Sequence, residues 1–425
     1  MKSAFVIGSG IAGLSIAEIL SRNGYKVTIL ESQDKIGGEA SLATQKWYHT
    51  GWLYAPLLNK AAMMGCYKAL QLYEKIYSGI FSDKNINLKL RSTGVTYSNS
   101  ENGWFSDERI FFLYALSTYE MSQLSKIFWP FYLRVVPFRR LRNLNYDITP
   151  LTKIDENMKR LMNRWERNEN GYKRYKVIRS NDAKIDTGKV TKSLVSQLSD
   201  RTEIITNAKP EFRESKGQTE VKLDGIYFKP DIVILASGKA VPDNLREIGS
   251  NKLASKIESI KSPILVLKNE ISYPDFIRFT PFVEHTINHI KFSLSDGNRV
   301  STVGSYYSFP TDSEVDISYY EDKMCDKIGL SKSDVLGSYF GIKTEYLDGA
   351  ERRYNHALEK VNSNTFIALA GKFSQFPLLV YDFSTKMGLS FDQRKSFEKI
   401  TISSDIFNET YPAQLVNNRK GFIKS

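Results

Sequence analysis

"AFVIGSGIAGLSIAEILSRNGYKVTILE", residues 4–31, is the stretch that decides the fold. It opens with a short apolar run, as expected of a strand buried on both faces of a parallel sheet. Glycines follow in the pattern G-x-G-x-x-G, and apolar residues then recur at helical spacing. The segment "YKVTIL" is β-branched and apolar, which predicts a second strand. The order of strand, glycine turn, helix and strand predicts an α/β fold with a Rossmann-like domain.

Each glycine of the motif has a separate physical role. Gly8 permits a tight turn, Gly10 lets a pyrophosphate approach the backbone, and Gly13 lets the helix pack closely on the strand. The N-terminus of that helix favours negative charge, because its first N–H groups lack partners within the helix. Glu31 follows Gly13 by eighteen residues, where a carboxylate accepts hydrogen bonds from ribose hydroxyls. Together these features predict a dinucleotide-binding site.

A second glycine pair favours FAD over NAD. Gly37 and Gly38 follow Glu31 in "ESQDKIGGEAS", residues 31–41. This pattern resembles the flavoproteins of the glutathione-reductase-like superfamily, in which the second pair lies along the extended FAD. The resemblance therefore implies FAD as the cofactor.

Later segments supply the other parts of such a fold. Residues 181–206 predict a short strand, a helix from about Thr187 to Leu198, and a further strand. "DIVILAS", residues 231–237, predicts a fully buried strand before Gly238. Near the C-terminus we expect a strand leading to Gly371, then a helix starting near Phe383. The N-terminus of that helix could face the flavin where negative charge develops on reduction.

The order of these parts resembles the D-amino-acid-oxidase-like (DAO) family of FAD-dependent oxidoreductases. Within it, residues 48–56, "YHTGWLYAP", and residues 184–190, "KIDTGKV", are similar to segments of L-2-hydroxyglutarate dehydrogenases. The family's arginine-rich turn after the first glycine motif is absent, and "SLATQKW", residues 41–47, stands instead. The resemblance implies a glutathione-reductase-type FAD domain interleaved with an antiparallel-sheet substrate domain and a helical cap.

The predicted domain boundaries follow from this resemblance and from the residue patterns. The FAD-binding domain is discontinuous, the cap carries a basic stretch, and the C-terminal residues form an extension with an extra helix and a surface arm. In that order the ranges are 1–60, 175–245 and 360–390 for the FAD-binding domain, 61–174 for the helical cap, 246–359 for the substrate domain, and 391–425 for the extension.

The motifs and the resemblance together predict the cofactor-binding residues. They are Gly8, Gly10, Ile11, Ala12, Gly13, Glu31, Ser32, Gly37, Gly38, Ala40, Ser41, His49, Thr50, Gly51, Lys209, Pro210, Ala236, Ser237, Gly238, Gly371, Ser384, Thr385, Lys386 and Met387.

Two residues are candidates for catalysis. His49 is the predicted base, because an imidazole titrates near neutral pH; packing and covalent flavin attachment are the alternatives for its ring. Alternation along residues 276–282 predicts that Arg278 points into the site, where its guanidinium would bind a substrate carboxylate. A surface arginine is the alternative, and Arg352 and Arg353 compete for the same role. No histidine or cysteine has metal-ligand spacing, so we expect no metal.

The predicted reaction is hydride transfer from a small 2-hydroxy acid, amino acid or amine to flavin N5. The substrate would be a small anion, and the electron acceptor, oxygen or quinone, stays open. Two other functions remain: an FAD enzyme that acts on a tRNA-borne group, and a flavin-binding protein whose substrate site has decayed.

Charge and composition bear on partners and location. The net charge is +12, and basic residues concentrate between positions 134 and 180. A solvated basic face, peripheral contact with an anionic membrane, or an acidic substrate would each explain this stretch. Since no nucleic-acid-binding module accompanies it, we do not expect a nucleic-acid partner. Only two cysteines occur and no apolar run reaches roughly 18 residues, which predicts a cytoplasmic protein, at most peripheral to the inner face of the membrane.

Overall fold

The computed structural model describes residues 1–56, 60–78, 80–82, 85–91, 94–98, 100–115, 135–168, 175–268, 271–280, 286–293, 299–348, 351–352, 354–392, 398–410 and 412–416. Its helices include α1 Ile11–Arg22, α2 Glu39–Leu42, α3 Ala61–Tyr77, α4 Glu156–Asn168, α5 Thr187–Val195, α6 Val241–Glu247, α7 Asn251–Ala254, α8 Ile317–Ile328 and α9 Phe376–Met387. Its strands include β1 Ser3–Ile7, β2 Lys26–Leu30, β3 Trp47–Tyr48, β4 Leu88–Arg91, β5 Gly94–Tyr97, β6 Phe105–Ala115, β7 Tyr175–Ile185, β8 Glu203–Ile205, β9 Glu211–Ser215, β10 Gln218–Leu223, β11 Ile226–Phe228, β12 Ile232–Leu235, β13 Ile257–Leu267, β14 Phe276–Phe279, β15 Ile287–Ser293, β16 Arg299–Ser305, β17 Phe309–Pro310, β18 Val335–Asp348, β19 Glu351–Arg352, β20 Ala357–Lys360 and β21 Thr365–Leu369.

The first sheet is the predicted Rossmann-like sheet. Its strands lie in the order β20-β21-β12-β1-β2-β8, and all neighbours pair in parallel except β20 and β21. The chain leaves β1 toward β2 on one side, and β12 later joins β1 on the other side. β1 and β12 therefore flank a topological switch point, where a ligand binds outside the carboxyl ends of the strands. The prediction of an α/β fold is confirmed.

Helix α1 is buried along its whole length. It packs on β1 and β2 on one side, and α5 and α9 cover it on the other. Ile16, Ile19 and Leu20 are fully buried in this interface. Each such side chain contributes about 1.5–3 kcal/mol of transfer free energy, so the glycine turn that precedes α1 is held on a rigid base.

The second sheet follows the order β19-β18-β13-β16-β15-β14-β6-β7-β3, and β17 pairs with β13. Most neighbours are antiparallel, as predicted for the substrate domain, although β14 and β6 run parallel. A separate three-stranded antiparallel sheet, β9 to β11, leads into β12.

Two features of the domain prediction are wrong. Residues 88–115, assigned to a helical cap, contain β4, β5 and β6, and β6 joins the second sheet. Residues 175–185, assigned to the FAD-binding domain, form β7, which pairs with β6. Short apolar runs such as "RIFFLYA" fit a buried strand as well as a helix, and their aromatic content favours the strand. Of the basic stretch between positions 134 and 180, residues 134 and 169–174 lie outside the described residues.

The C-terminal extension contacts the segment that follows β2 of the first sheet. Ile36 forms a parallel bridge with Phe407, and the amide of Ile36 donates to the carbonyl of Ile406 at 2.9 Å. Residues 412–416 include a short helical segment, and Leu415 packs against a hydrophobic cluster that consists of Ala43, Ile264, Val266 and Tyr339. Among the described residues, no helix has both the length and the apolar character needed to cross a membrane.

Candidate active site

A cavity of about 780 Å³ lies between the two sheets. On one side it meets the segments that follow β1, β2, β12 and β21; on the other it meets β13, β16 and β18. This volume lies within the roughly 300–1,000 Å³ of small-molecule and cofactor sites. The cavity therefore lies at the switch point of the first sheet, with the second sheet as its opposite wall.

The glycine motif forms a close turn at one end of the cavity. Gly8 has a φ of 102°, and a Cβ there would lie 2.7 Å from the carbonyl oxygen of Ala236. A Cβ on Gly13 would lie 1.9 Å from the carbonyl oxygen of Gly8, so only glycine allows α1 to approach β1 this closely. A Cβ on Gly10 would lie 3.3 Å from Oγ of Ser41. The backbone packing thus requires glycine at positions 8 and 13, while contact of the glycine turn with a pyrophosphate stays a prediction.

Glu31 lines the same end of the cavity, and local donors hold its carboxylate. Oε2 accepts hydrogen bonds from the amide and the hydroxyl of Ser9 at 2.9 and 2.5 Å. Oε1 accepts from the amide of Gln33 at 2.9 Å. These contacts fix the carboxylate directly after β2, in the position from which a carboxylate binds ribose hydroxyls.

Most of the other predicted cofactor residues also lie on the cavity wall. They are Ile11, Ala12, Ser32, Gly38, Ala40, Ser41, Lys209, Pro210, Ala236, Ser237, Gly238 and Gly371. Four predicted residues lie behind the wall instead: Gly13, Gly37, Thr50 and Gly51. Of these, Gly37 donates its amide to Oγ of Ser9 at 3.2 Å, and Gly51 has a φ of 114° and packs on Met63.

The prediction for the last helix is wrong at its start. α9 begins at Phe376, directly after a 3-10 turn at Phe373–Gln375. The predicted residues Ser384, Thr385, Lys386 and Met387 form its C-terminal turn and are not on the wall of the large cavity. Pro377 lies in the first turn, a common position for proline, and was the sequence signal for the true start. The segment that reaches the cavity is residues 368–373, at the end of β21 and directly after it.

His49 is also on the cavity wall, directly after β3, and we call the part of the wall around it the His49 end. Its ring packs against Trp47, with ring centroids 4.3 Å apart, and lies 5.6 Å from the ring of Tyr54. Its Nδ1 atom is buried and has no hydrogen-bond partner among the described residues. Burial, with the positive charges of Lys372 and Lys343, holds the pKa of His49 well below its ordinary value of 6.5. The imidazole is therefore neutral near pH 7.

Arg278 does not line the cavity. It is fully buried, and its guanidinium carbon lies 4.5 Å from the ring centroid of Trp165 and 5.7 Å from that of Tyr175. Side chains alternate along β14, so Arg278 shares the face of Phe276, which packs on Trp165. The predicted inward orientation is therefore wrong: Arg278 points into the core beneath α4. Of the rival arginines, Arg352 ends β19 and Arg353 lies outside the described residues.

Three charged residues line the cavity at the His49 end, and the sequence motifs predict no role for them. Lys343 and Glu345 lie on β18, and Lys372 follows β21. Lys372 Nζ lies 2.9 Å from Oε1 of Glu345, and both side chains are almost fully buried. The rings of three tyrosines complete this end of the wall: Tyr54, Tyr306 and Tyr354. Tyr54 belongs to the buried core and lines the cavity as well.

FAD fits these residues at the dinucleotide end. The glycine turn leaves no room for a Cβ, and the N-terminus of α1 lines the cavity through Ile11 and Ala12. The carboxylate of Glu31, held by Ser9, lines the same cavity and could accept hydrogen bonds from a ribose. Bound FAD would supply a two-electron acceptor, and these residues would hold its ADP half. Fold and site together define a flavin-dependent oxidoreductase built from a dinucleotide domain and a second, largely antiparallel sheet.

Residues 3–350 match the family model described as "FAD dependent oxidoreductase" (DAO), and the chain belongs to this family. Among solved structures, it is similar to glycine oxidase from Geobacillus kaustophilus, with 12% identity, a TM-score of 0.63, and coverage of 95% of this chain and 100% of that chain. It is also similar to iminodiacetate oxidase from Chelativorans sp. BNC1, with 15% identity, a TM-score of 0.62, and coverage of 91% and 96%. Identities this low establish the fold alone.

Curated relatives match only short segments. An L-amino-acid oxidase from Mus musculus is 48% identical over 52 residues, which is 12% of this chain and 8% of that protein. The chain covers 14 to 16% of the length of the first curated relatives that it matches. The narrower resemblance to L-2-hydroxyglutarate dehydrogenases stays a prediction.

Proposed function

We propose that this chain oxidises a small amino acid, or a related amine that carries a carboxylate, with FAD as the electron acceptor. His49 carries the proposal, because it is a neutral imidazole on the cavity wall, and burial together with two lysines lowers its pKa. The neighbours named glycine oxidase and iminodiacetate oxidase support an amine over a 2-hydroxy acid. A 2-hydroxy acid is the alternative substrate of the same site.

His49 is suited to accept the proton that the substrate loses. Nδ1 is buried, which leaves Nε2 as the ring nitrogen that meets the substrate. As the C–H hydrogen leaves as hydride, the N–H proton passes to Nε2 and an imine forms; for a hydroxy acid, the O–H proton takes the same path. Bound FAD supplies the hydride acceptor. The protein contributes a base that needs no prior deprotonation near pH 7.

Lysine is the proposed anchor for the substrate carboxylate. Lys343 and Lys372 both act electrostatically on His49, so both charges lie near the proposed base. Lys372 Nζ forms an ion pair with Glu345 at 2.9 Å, and we assign the substrate carboxylate to Lys343, which lines the same cavity. A lysine binds a carboxylate as a point charge rather than through the two-point contact of arginine.

Tyrosines would enclose the rest of the substrate. Burial holds the pKa of Tyr54 and of Tyr306 well above the ordinary value, so both phenols stay neutral. Lys372 Nζ lies 5.3 Å from the ring centroid of Tyr354, which adds a cation–π contact to its pair with Glu345. Neutral aromatic walls around a positive anchor suit a small anion with an apolar or amine-bearing carbon.

The test is anaerobic flavin reduction by a panel of amino acids, N-substituted amino acids, amines without a carboxylate, and 2-hydroxy acids. We expect bleaching of the flavin absorbance by one or more carboxylate-bearing amines, and little by matched amines that lack the carboxylate. If only 2-hydroxy acids reduce the flavin, the substrate is a 2-hydroxy acid and the proposed amine substrate is wrong. A flavin-loaded protein that no compound reduces would contradict the proposal and favour a decayed substrate site.

A further inference from the structure

A buried carboxylate lies under the segment that carries His49. Asp182 is fully buried in β7, beside the short strand β3. Its Oδ2 accepts a hydrogen bond from Nε1 of Trp47 at 2.9 Å. Its Oδ1 accepts from the amide of Thr50 at 2.8 Å and from the Thr50 hydroxyl at 2.6 Å. A single carboxylate thus binds the chain on both sides of His49.

These bonds determine the direction in which His49 points. Trp47 packs directly on the imidazole, so the bond to Asp182 also fixes the aromatic surface against which His49 lies. On the other side, the carbonyl of Thr50 accepts from the Tyr146 hydroxyl at 2.8 Å. The segment 47–50 is therefore held at both ends, while the His49 ring itself makes no hydrogen bond through Nδ1 to the described residues. Its orientation depends on its neighbours.

A purely structural role is the competing explanation. A buried carboxylate with several donors stabilises a fold regardless of any catalytic residue nearby, and removing it costs stability. The electrostatic influences on the pKa of His49 come from Lys372 and Lys343. A catalytic contribution from Asp182 would therefore be one of geometry rather than of charge.

We propose that Asp182 is a positioning residue for the reaction: it holds Trp47 and Thr50 so that His49 presents Nε2 to the substrate. This inference rests on the proposed function, in which His49 is the base. A displacement of about 1 Å in a reacting group can lower a rate on the order of 100-fold, so an anchor at this distance from the chemistry has a measurable effect.

The donors around Asp182 allow a matched test. In Asp182→Asn, the amide oxygen can accept from Thr50, but the NH₂ group then faces the indole N–H of Trp47, donor against donor. If the amide flips, the same conflict arises at Thr50. Trp47→Phe removes the indole donor and keeps an aromatic ring, so the double variant Trp47→Phe/Asp182→Asn has no such conflict. Trp47→Phe alone is the background control.

With flavin content normalised, we expect Asp182→Asn to lower kcat by about tenfold or more and to leave KM nearly unchanged. In the Trp47→Phe background, the same substitution should lower kcat by much less. A purely structural carboxylate predicts the reverse: thermal stability falls, and the kcat effect is equal in both backgrounds or absent. Equal or absent kcat effects would overturn the proposal.

A second measurement does not depend on turnover. The chain has four histidines, so histidine-selective isotope labelling gives a simple NMR spectrum in which His49→Gln assigns the His49 signals. The Trp47 ring shields the His49 ring protons, and we expect Asp182→Asn to shift these signals while those of His289 and His356 stay in place. Unmoved His49 signals would overturn the positioning role even if no substrate reduces the flavin. Shifted His49 signals without substrate reduction would support the positioning role while contradicting the proposed function.

Discussion

The two ends of the cavity are built in different ways. At the dinucleotide end, the glycines that exclude a Cβ, the helix N-terminus and the carboxylate of Glu31 all come from one continuous stretch, residues 4–41. The substrate end comes from side chains on distant segments, with His49 after β3, Lys343 on β18 and Lys372 after β21. Cofactor binding is thus a local property of the sequence, and substrate choice is a property of the assembled fold.

This difference predicts that the two ends respond differently to substitution. Changes to the close-packed glycines of the dinucleotide end should remove the cofactor or destabilise the fold as a whole. Changes at the substrate end should leave the flavin in place and alter KM, kcat or the pH profile one residue at a time.

The largest expected effect is at Gly13. A Cβ there would lie 1.9 Å from the carbonyl oxygen of Gly8, so Gly13→Ala must push α1 away from β1. We expect loss of bound FAD and a large fall in the melting temperature, measured by flavin absorbance per protein and by thermal unfolding. Gly188→Ala is the matched control: its Cβ would meet Oδ1 of Asp186 at 3.4 Å, an ordinary contact, and alanine favours a helix. Retention of FAD in Gly13→Ala would contradict the close-packing role.

At the substrate end, Lys343→Met should act on substrate affinity. The substitution keeps the length of the side chain and removes the positive charge assigned to the carboxylate. We expect KM for a carboxylate-bearing amine to rise by roughly tenfold or more, as for the loss of a charge-assisted hydrogen bond of about 1.5–3 kcal/mol. Flavin content should not change. The matched comparison is an amine without a carboxylate; an equal rise in its KM would remove Lys343 from the anchoring role.

The same variant predicts a shift in the pH profile. His49 must be neutral to act as a base, and its lowered pKa places the acid limb of kcat/KM below pH 6.5. Lys343 is one of the charges that lower this pKa, so removing it raises the pKa. The acid limb should therefore move to higher pH in Lys343→Met, and activity should fall earlier on acidification. Lys209→Met, at the dinucleotide end of the wall, should leave the limb in place.

The smallest expected catalytic effect is at Arg278. Because its guanidinium lies against Trp165 rather than on the cavity wall, Arg278→Lys should change thermal stability but leave KM for carboxylate substrates within about twofold. A KM increase as large as that of Lys343→Met would restore the original prediction that Arg278 binds the substrate.

The sequence was sufficient for the dinucleotide end because its constraints are local. The spacing alone singles out Gly8, Gly10, Gly13 and Glu31, and the structure shows the close packing at Gly8 and Gly13 and the bond from Ser9 to Glu31. Their contacts with FAD stay predictions. The substrate end was predicted only at His49. Lys343 and Lys372 have no local sequence signature. The sequence around a lysine in a strand, or directly after a strand, does not show whether the side chain faces solvent or a cavity.

The errors have physical causes of the same kind. Alternation along β14 shows that Arg278 and Phe276 share a face, but it cannot say which face of the sheet meets the cavity and which meets α4. The predicted start of α9 near Phe383 is wrong because the apolar pattern of the helix already begins in "FPLLVYDF", residues 376–383. Pro377, in the first turn, marks the true start.

The most direct test of the central claim is the rate of anaerobic flavin reduction in wild type and in His49→Gln, at equal flavin loading. Glutamine keeps a polar side chain of similar reach but cannot act as a base near pH 7. We expect a yellow protein that a carboxylate-bearing amine bleaches, and a reduction rate at least about 100-fold lower in His49→Gln. A colourless protein that takes up no FAD, or equal reduction rates in the two proteins, would contradict the account.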